Sequence, residues 1–230
     1  KTSRLCAATS RFGLGLVLAS VLAVQGADLA VQWIDKAPPE EVNESIKNVL
    51  QSKAVQLSEN GTSVFEFWFR SEIPLKASAG SPLKAVECIG ETTLCGVISV
   101  EKMERDYKDN EIPAGLYTAR FGLQPQDGDH LGTSEFPYYL VLIPIKNDPQ
   151  LNGLASYKPM VRASGKATAS GHPVVWSLRI PASMEGEGPK LNEPLPAHRS
   201  LLVKVPAREP GSDKATGVVF ELVFRGKGKT

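Results

Sequence analysis

Hydrophobic and polar residues alternate along most of the chain with a period of two, which is typical of β-strands. In the stretch VFEFWFR, Phe65, Phe67 and Phe69 fall on one face of the expected strand. Asn60-Gly61 comes just before this stretch, and both residues tolerate the positive φ angles of a type I′ turn. The pattern therefore predicts a hairpin that turns at Asn60-Gly61 and places the three phenylalanines in the core.

Further apolar segments follow, separated by Gly, Pro, Asn and Asp. The predicted strands are 83–89, 94–102, 115–123, 138–145, 174–180, 201–206 and 217–224. Many short strands with turn residues between them favour a mainly β chain, an antiparallel β-sandwich or jelly roll, over alternating βαβ units. The segment YYLVLIPI is apolar at almost every position, so we expect 138–145 to be a central strand buried on both faces or covered by a helix.

Helical spacing is confined to two segments. From Val42, apolar residues recur at i, i+4, i+7 and i+8, after prolines and glutamates that suit a first helical turn. This spacing predicts an N-terminal amphipathic helix over 39–51. A shorter apolar repeat predicts a short second helix within 150–162, followed by an open loop, and 182–200 has the composition of a long loop.

The N-terminus has the layout of a secretory signal peptide. Lys1, Arg4 and Arg11 form a basic region, the uncharged apolar run 12–24 follows, and small residues suit a cleavage site after residue 26. A membrane anchor is the alternative, but a spanning helix needs about 20 apolar residues. We therefore expect 1–26 to be removed and the protein to be exported, to the periplasm or the extracellular space.

Charge is nearly balanced in the expected mature chain. The leader holds three of the 26 basic residues and none of the 25 acidic ones. This balance gives no electrostatic reason to expect nucleic acid or an anionic membrane as a partner. No later apolar run suggests an integral membrane segment, and no Pro/Ser/Gly-rich linker divides 27–230, so we expect one β-sandwich domain.

Two cysteines remain after the expected cleavage. Cys88 and Cys95 bracket the stretch CIGETTLC, and an even pair in an exported chain predicts a disulfide, here across the end of a hairpin. A reduced, buried pair is the alternative. The spacing does not match a CxxC redox motif.

The loop QPQDGDHLGTSEFP carries the densest set of polar ligands. Asp127, Asp129 and His130 lie within four residues, with Glu135 nearby, and oxygen ligands around a glycine can bind calcium. Leu131 occupies the next alternate position, so the EF-hand pattern is not met. A plain loop between two strands is the favoured interpretation.

Three histidines lie in expected loops. If the loops carrying His130, His172 and His198 met at one end of the fold, the imidazoles could bind zinc or copper, with Asp127 or Asp129 added. The chain has no HxH or HExxH spacing. We therefore predict no cofactor and keep calcium, zinc or copper as alternatives.

Motifs for nucleophilic catalysis are not found in the sequence. There is no GxSxG elbow and no phosphate-binding loop. A carboxylate pair for glycoside hydrolysis stays an alternative, because two such residues can be far apart in the sequence and meet only in the folded chain. Trp33, Trp68 or Trp176 could stack on carbohydrate, but core packing is the favoured role for Trp176 in its strand. The sequence therefore favours a protein that is not an enzyme.

Three stretches carry a family resemblance. EIPAGLYTARFGL, GTSEFPYYLVLIP and SGHPVVWSL resemble segments of exported bacterial β-sandwich proteins with no assigned function, and the resemblance implies fold and compartment only. We expect a non-enzymatic binding or scaffolding module at the cell envelope, with an envelope protein or a glycan as partner. The alternatives are a carbohydrate-binding module, and a metal-binding protein or enzyme with a loop-built site around Asp127, Asp129, His130 and His172.

Overall fold

A computed structural model describes residues 28–106, 109–124, 136–154, 156–213 and 215–226. These residues form thirteen strands: β1 Leu29–Ile34, β2 Ala54–Glu59, β3 Thr62–Phe69, β4 Ile73–Pro74, β5 Leu94–Val100, β6 Glu104–Arg105, β7 Glu111–Ile112, β8 Gly115–Leu123, β9 Tyr138–Pro144, β10 Val174–Arg179, β11 Lys190–Asn192, β12 Arg199–Arg208 and β13 Ala215–Arg225. The helices are α1 Glu44–Lys47 and α2 Tyr157–Gly165, with 3₁₀ turns at Ala85–Cys88 and Ile145–Asn147. The expected leader, 1–26, lies outside the described residues.

Eleven of the strands form one mixed sheet. Its order is β1-β2-β3-β5-β8-β9-β10-β13-β12-β11, all antiparallel, and β4 pairs in parallel with β12. The sheet curls until its first and last strands, β1 and β11, come into contact, while β6 and β7 form a separate small ribbon. The prediction of a mainly β chain is confirmed, whereas the strand order shows one curled sheet and not the two separate sheets of a sandwich.

The inner face of the curled sheet encloses the main core. Phe65 on β3 contacts Trp176 on β10 and Phe224 on β13, with ring centroids 4.9 and 5.9 Å apart. Phe69 stacks on Phe220 with a centroid distance of 5.8 Å. The predicted core face of β3 is confirmed, and the aromatic contacts show that curling brings distant strands of the sheet together.

The predicted hairpin is also confirmed. β2 and β3 pair as antiparallel strands, and Asn60 and Gly61 between them have φ angles of 51° and 77°, as a type I′ turn requires. The Asn60 side chain also accepts a hydrogen bond of 3.0 Å from the backbone N–H of Asp28. The turn thus fixes the start of β1 as well.

The N-terminal helix is much shorter than the predicted span 39–51. α1 begins after Asn43, whose side chain accepts a hydrogen bond from the backbone of the first turn, and it has only four residues. Leu50 instead forms an isolated β-bridge with Arg70, so the chain leaves the helix to join the sheet. The predicted apolar face is still buried: Val42 and Ile46 pack on the outer face of the sheet.

The apolar strand β9 is covered on its outer face by α2. Tyr139, Val141 and Ile143 pack against Met160 and Ala163 of the helix, while the alternate residues of β9 face the inner core. The prediction of a buried central strand is confirmed. The helix that covers it begins and ends later than the predicted turn within 150–162.

Three local predictions were wrong. The segment 83–89 contains a 3₁₀ turn instead of a strand, although Ala85 and Val86 are fully buried. The alternation of apolar and polar residues there comes from a buried turn that packs against β13. The predicted loop 182–200 contains the edge strand β11, and no strand was predicted at β1.

None of the helices in the described part of the chain is long and apolar enough to cross a membrane.

Candidate functional site

The part of the loop QPQDGDHLGTSEFP that carries the candidate ligands is not among the described residues. Asp127, Asp129, His130 and Glu135 lie outside the described residues. The calcium site predicted as an alternative for this loop therefore stays a sequence hypothesis.

The other two histidines have separate local roles. His172 is exposed after α2, and its Nδ1 lies 2.8 Å from the carbonyl oxygen of Pro173. His198 is buried before β12, with its ring 6.4 Å from that of Phe136. Within the described ranges, no group of three His, Cys, Asp or Glu side chains could hold a metal ion.

Trp68 and Trp176 do not present an open ring to a glycan. Trp68 is fully buried on the outer face of β3, and its indole N–H donates a 2.7 Å hydrogen bond to the carbonyl of Lys36. Trp176 lies in the inner core and is 1% exposed. Trp33 is half-buried, with the Lys53 ammonium 4.3 Å from its ring centroid. Trp176 thus has the core role that the sequence favoured, and Trp68 is buried as well.

The structure does not contain the predicted disulfide. Cys88 and Cys95 are free thiols, each directed at a different backbone carbonyl, Ser78 and Thr93, at 3.6 Å. The prediction assumed a hairpin between them, but Cys88 lies in a 3₁₀ turn and Cys95 at a bulge of β5. Burial raises the pKa of the Cys95 thiol to about 12.

A buried ion pair is the most concentrated polar cluster of the fold. Arg120 on β8 pairs with Asp148 through Nε and Nη2, at 2.5 and 3.0 Å, and both side chains are almost fully buried. Thr118 donates a further 2.6 Å hydrogen bond to the same carboxylate. The guanidinium also donates to the carbonyls of Thr92 and of residues 150–151. These contacts anchor the chain after β9 to the outer face of β8, which is a structural role.

Two further buried carboxylates, Glu221 and Glu66, are also bonded to polar side chains of neighbouring segments. Glu221 is fully buried on β13 and accepts hydrogen bonds from Asn192 at 2.8 Å and Ser200 at 3.0 Å, which ties three strands together. Glu66 is buried on β3 and pairs with Lys36 at 2.6 Å. These hydrogen bonds and ion pairs therefore stabilise the sheet.

A shallow polar groove of about 440 Å³ lies beside the β6–β7 ribbon. Arg225 at the end of β13 pairs with Glu59 and, at 3.1 Å, with Glu104, while Lys102 lies 3.5 Å from Glu59. The hydrogen bond from Arg225 holds the pKa of Glu59 below its ordinary value. Met103 is exposed beside this network. The opposite charges neutralise one another, so this cluster joins β2, β6 and β13.

The exposed side of α2 has a different character, and we call it the basic face. It consists of Lys158, Arg162 and Lys166, one helical turn apart and all exposed. In the part of the chain that the structure describes, no carboxylate lies within ion-pair distance of any of them. They border a groove of about 410 Å³ with Leu154 and Asn147 on its other side.

A ridge holds the basic face in place. The 3₁₀ turn Ile145–Asn147 forms this ridge, and Asn147 donates a 3.3 Å hydrogen bond from its side chain to the carbonyl of Ala163 on α2. The next residue along the chain, Asp148, belongs to the buried ion pair. Beyond the ridge lies a groove of about 510 Å³ bordered by Glu40 and Glu41. The helix that carries the basic face is thus bonded to the 3₁₀ turn, and the same turn borders the groove with Glu40 and Glu41.

The sequence interpretation did not identify the basic face. Its signal was the spacing of Lys158, Arg162 and Lys166, but this spacing has meaning only if all three lie on one helix. The predicted helical segment ended at residue 162. No protein family, no curated protein sequence and no solved structure matches the chain.

Proposed function

We propose that the protein is an exported, non-enzymatic binding module of the cell envelope and that the basic face of α2 is its recognition surface. Support for export comes from the signal-peptide layout of 1–26 and from the resemblance to exported bacterial proteins. Support for binding comes from the distribution of charge in the folded chain.

One contrast carries the proposal. Arg120, Asp148, Glu221 and Glu66 are buried and bonded to structural partners. The basic face is exposed and lacks intramolecular partners among the described residues. A protein whose buried charges stabilise the sheet and whose open charges lie on a rigid helix is suited to binding.

The proposal is tested by fractionating bacterial cells that express the chain from its own leader. The wild-type protein is expected in the envelope fraction and to be released from it by high salt, because exposed ion pairs are screened. The variant K158Q/R162Q/K166Q is expected to be exported but no longer retained. The matched control K76Q/K84Q/K190Q removes three exposed charges that do not border the basic groove, and it should be retained like the wild type.

Two results would contradict the proposal. One is a wild-type protein that stays in the cytoplasm with its leader intact. The other is equal retention of the wild-type protein and the K158Q/R162Q/K166Q variant, which would show that the basic face does not contribute to binding.

A further inference from the structure

The positive charge of Lys158 destabilises α2, and nothing else in the helix offsets this effect. Like charges four residues apart on a helix destabilise it, and α2 has two such pairs, Lys158 with Arg162 and Arg162 with Lys166. Arg162 and Lys166 gain from the negative end of the helix dipole, since they lie in and just after the last turn. Lys158 lies in the first turn, where the dipole disfavours a cation. Its charge is therefore unfavourable on both counts.

The rest of α2 excludes insertion of the helix into a membrane. Its apolar residues Met160 and Ala163 are buried against β9, so they are not available to enter a lipid layer, as an interfacial helix requires. A nucleic-acid surface is also disfavoured, because the basic face is one short row of three cations on a chain of balanced charge. A partner that needs only a short row of cations fits better.

We propose that the basic face binds an extended acidic polypeptide segment with acidic residues at alternate positions; this rests on the proposed function. Cations one helical turn apart are separated by about 6 Å along the helix axis. In an extended strand, side chains on the same side are about 6.6–6.8 Å apart. Three carboxylates in the pattern acidic-x-acidic-x-acidic therefore match Lys158, Arg162 and Lys166 in turn.

The surroundings of the basic face favour an extended partner. Besides residues of the helix, the groove is bordered by Leu154 and by Asn147 of the 3₁₀ turn. The backbone of an extended segment is much thinner than a helix of about 10–12 Å diameter, so its carboxylates can approach the groove more closely. The intervening side chains of an extended segment point away from the helix, so their identity should matter little.

Fluorescence anisotropy with labelled peptides tests the inference. The first peptide alternates three glutamates with serines, the second has the same composition with its glutamates consecutive, and the third replaces glutamate by glutamine. The wild-type protein is expected to bind the alternating peptide several-fold more tightly than the consecutive one and to show no binding of the glutamine peptide. The K158Q/R162Q/K166Q variant should bind the alternating peptide about tenfold or more weakly, and the K76Q/K84Q/K190Q control should bind like the wild type.

Circular dichroism of both variants checks that the fold is intact. Equal affinity for the alternating and consecutive peptides, no binding by the wild-type protein, or equal affinity of the wild-type and variant proteins would overturn the inference. Tighter binding to vesicles of anionic lipid than to the alternating peptide would assign the surface to a membrane instead. If the peptide fails but envelope retention still needs the basic face, this inference is wrong and the proposed function stands; if retention is also independent of the basic face, both are wrong.

Discussion

The buried pair of Arg120 and Asp148 offers the sharpest test of how this fold is held together. We expect Asp148→Asn to destabilise the protein strongly at neutral pH. Asparagine has nearly the same shape as aspartate but no charge, and its amide nitrogen, a donor, replaces one of the two oxygens that accept hydrogen bonds from the guanidinium and the Thr118 hydroxyl. The substitution therefore leaves the Arg120 cation buried without a counter-charge.

The size of the expected loss in unfolding free energy follows from the burial of Arg120 and Asp148. The Arg120 side chain is 2% exposed and that of Asp148 is fully buried, so water cannot replace the lost carboxylate. Removal of one partner from such a pair costs about 3–5 kcal/mol, out of the about 5–15 kcal/mol that stabilise a typical domain. A loss of this size is measurable and could bring the protein close to unfolding at physiological temperature.

Urea unfolding followed by tryptophan fluorescence provides the assay, since Trp68 and Trp176 are buried and become exposed on unfolding. A double-mutant cycle with Asp148→Asn and Arg120→Met isolates the pair. We expect the double variant to lose at least about 2 kcal/mol less than the sum of the single variants. Asp35→Asn is the matched control at an exposed aspartate, and it should change stability by less than about 0.5 kcal/mol.

A cost of Asp148→Asn below about 1 kcal/mol would refute this reasoning. It would mean that water reaches the pair in solution, and that the segment after β9 is not anchored to β8 as described. The same result would weaken the proposed function, because the ridge beside the basic face depends on this anchor.

Three further predictions follow from local features. In the native protein, Cys88 should react with a thiol reagent and Cys95 only after unfolding, because burial raises the pKa of Cys95 to about 12; a non-reducing peptide map that links the two cysteines would contradict this. The pKa of Glu59 is lower in the folded than in the unfolded state. The ionised Glu59 side chain should therefore stabilise the fold at a pH above the unfolded-state pKa, and this stabilisation should be lost as the pH falls through the folded-state pKa. Arg225→Gln should reduce this dependence, measured as the urea midpoint between about pH 6 and pH 3. Gly61→Ala should cost about 1 kcal/mol in urea unfolding, because φ is +77° and no atom blocks a methyl group.

Features that depend on neighbouring residues could be predicted from the sequence. The turn at Asn60-Gly61 requires two residues that accept positive φ, and the apolar run of β9 requires cover on both sides. In each case one local physical rule is sufficient. The N-terminal segment shows the limit of this approach, because its apolar spacing correctly predicted burial but not helix length. Leu50 forms a β-bridge with Arg70, the residue after β3, and that contact is not visible in the spacing of residues 39–51.

The curling of the sheet could not be predicted for a related reason. Alternation fixes which side chains of β3 face inward, but the partner face is supplied by β10 and β13, more than a hundred residues later. The same alternating pattern fits two facing sheets and one sheet that curls on itself. Only the pairing order of the strands distinguishes these arrangements, and strand pairing is a long-range property.

The candidate site shows why surface function was the hardest part to predict. Its charged residues are common ones, and the four-residue spacing of Lys158, Arg162 and Lys166 is informative only when the helix bounds are known. Lys166 is the residue that caps α2, with a helical backbone conformation; with a helix that ends at residue 162, Lys166 would lie well beyond the cap and the row would be incomplete. Burial of Met160 and Ala163 against β9 fixes the bounds and the rotation of α2, and so directs all three cations outward. The basic face is therefore a consequence of core packing, and a substitution that rotates the helix should abolish binding without altering any of the three cations.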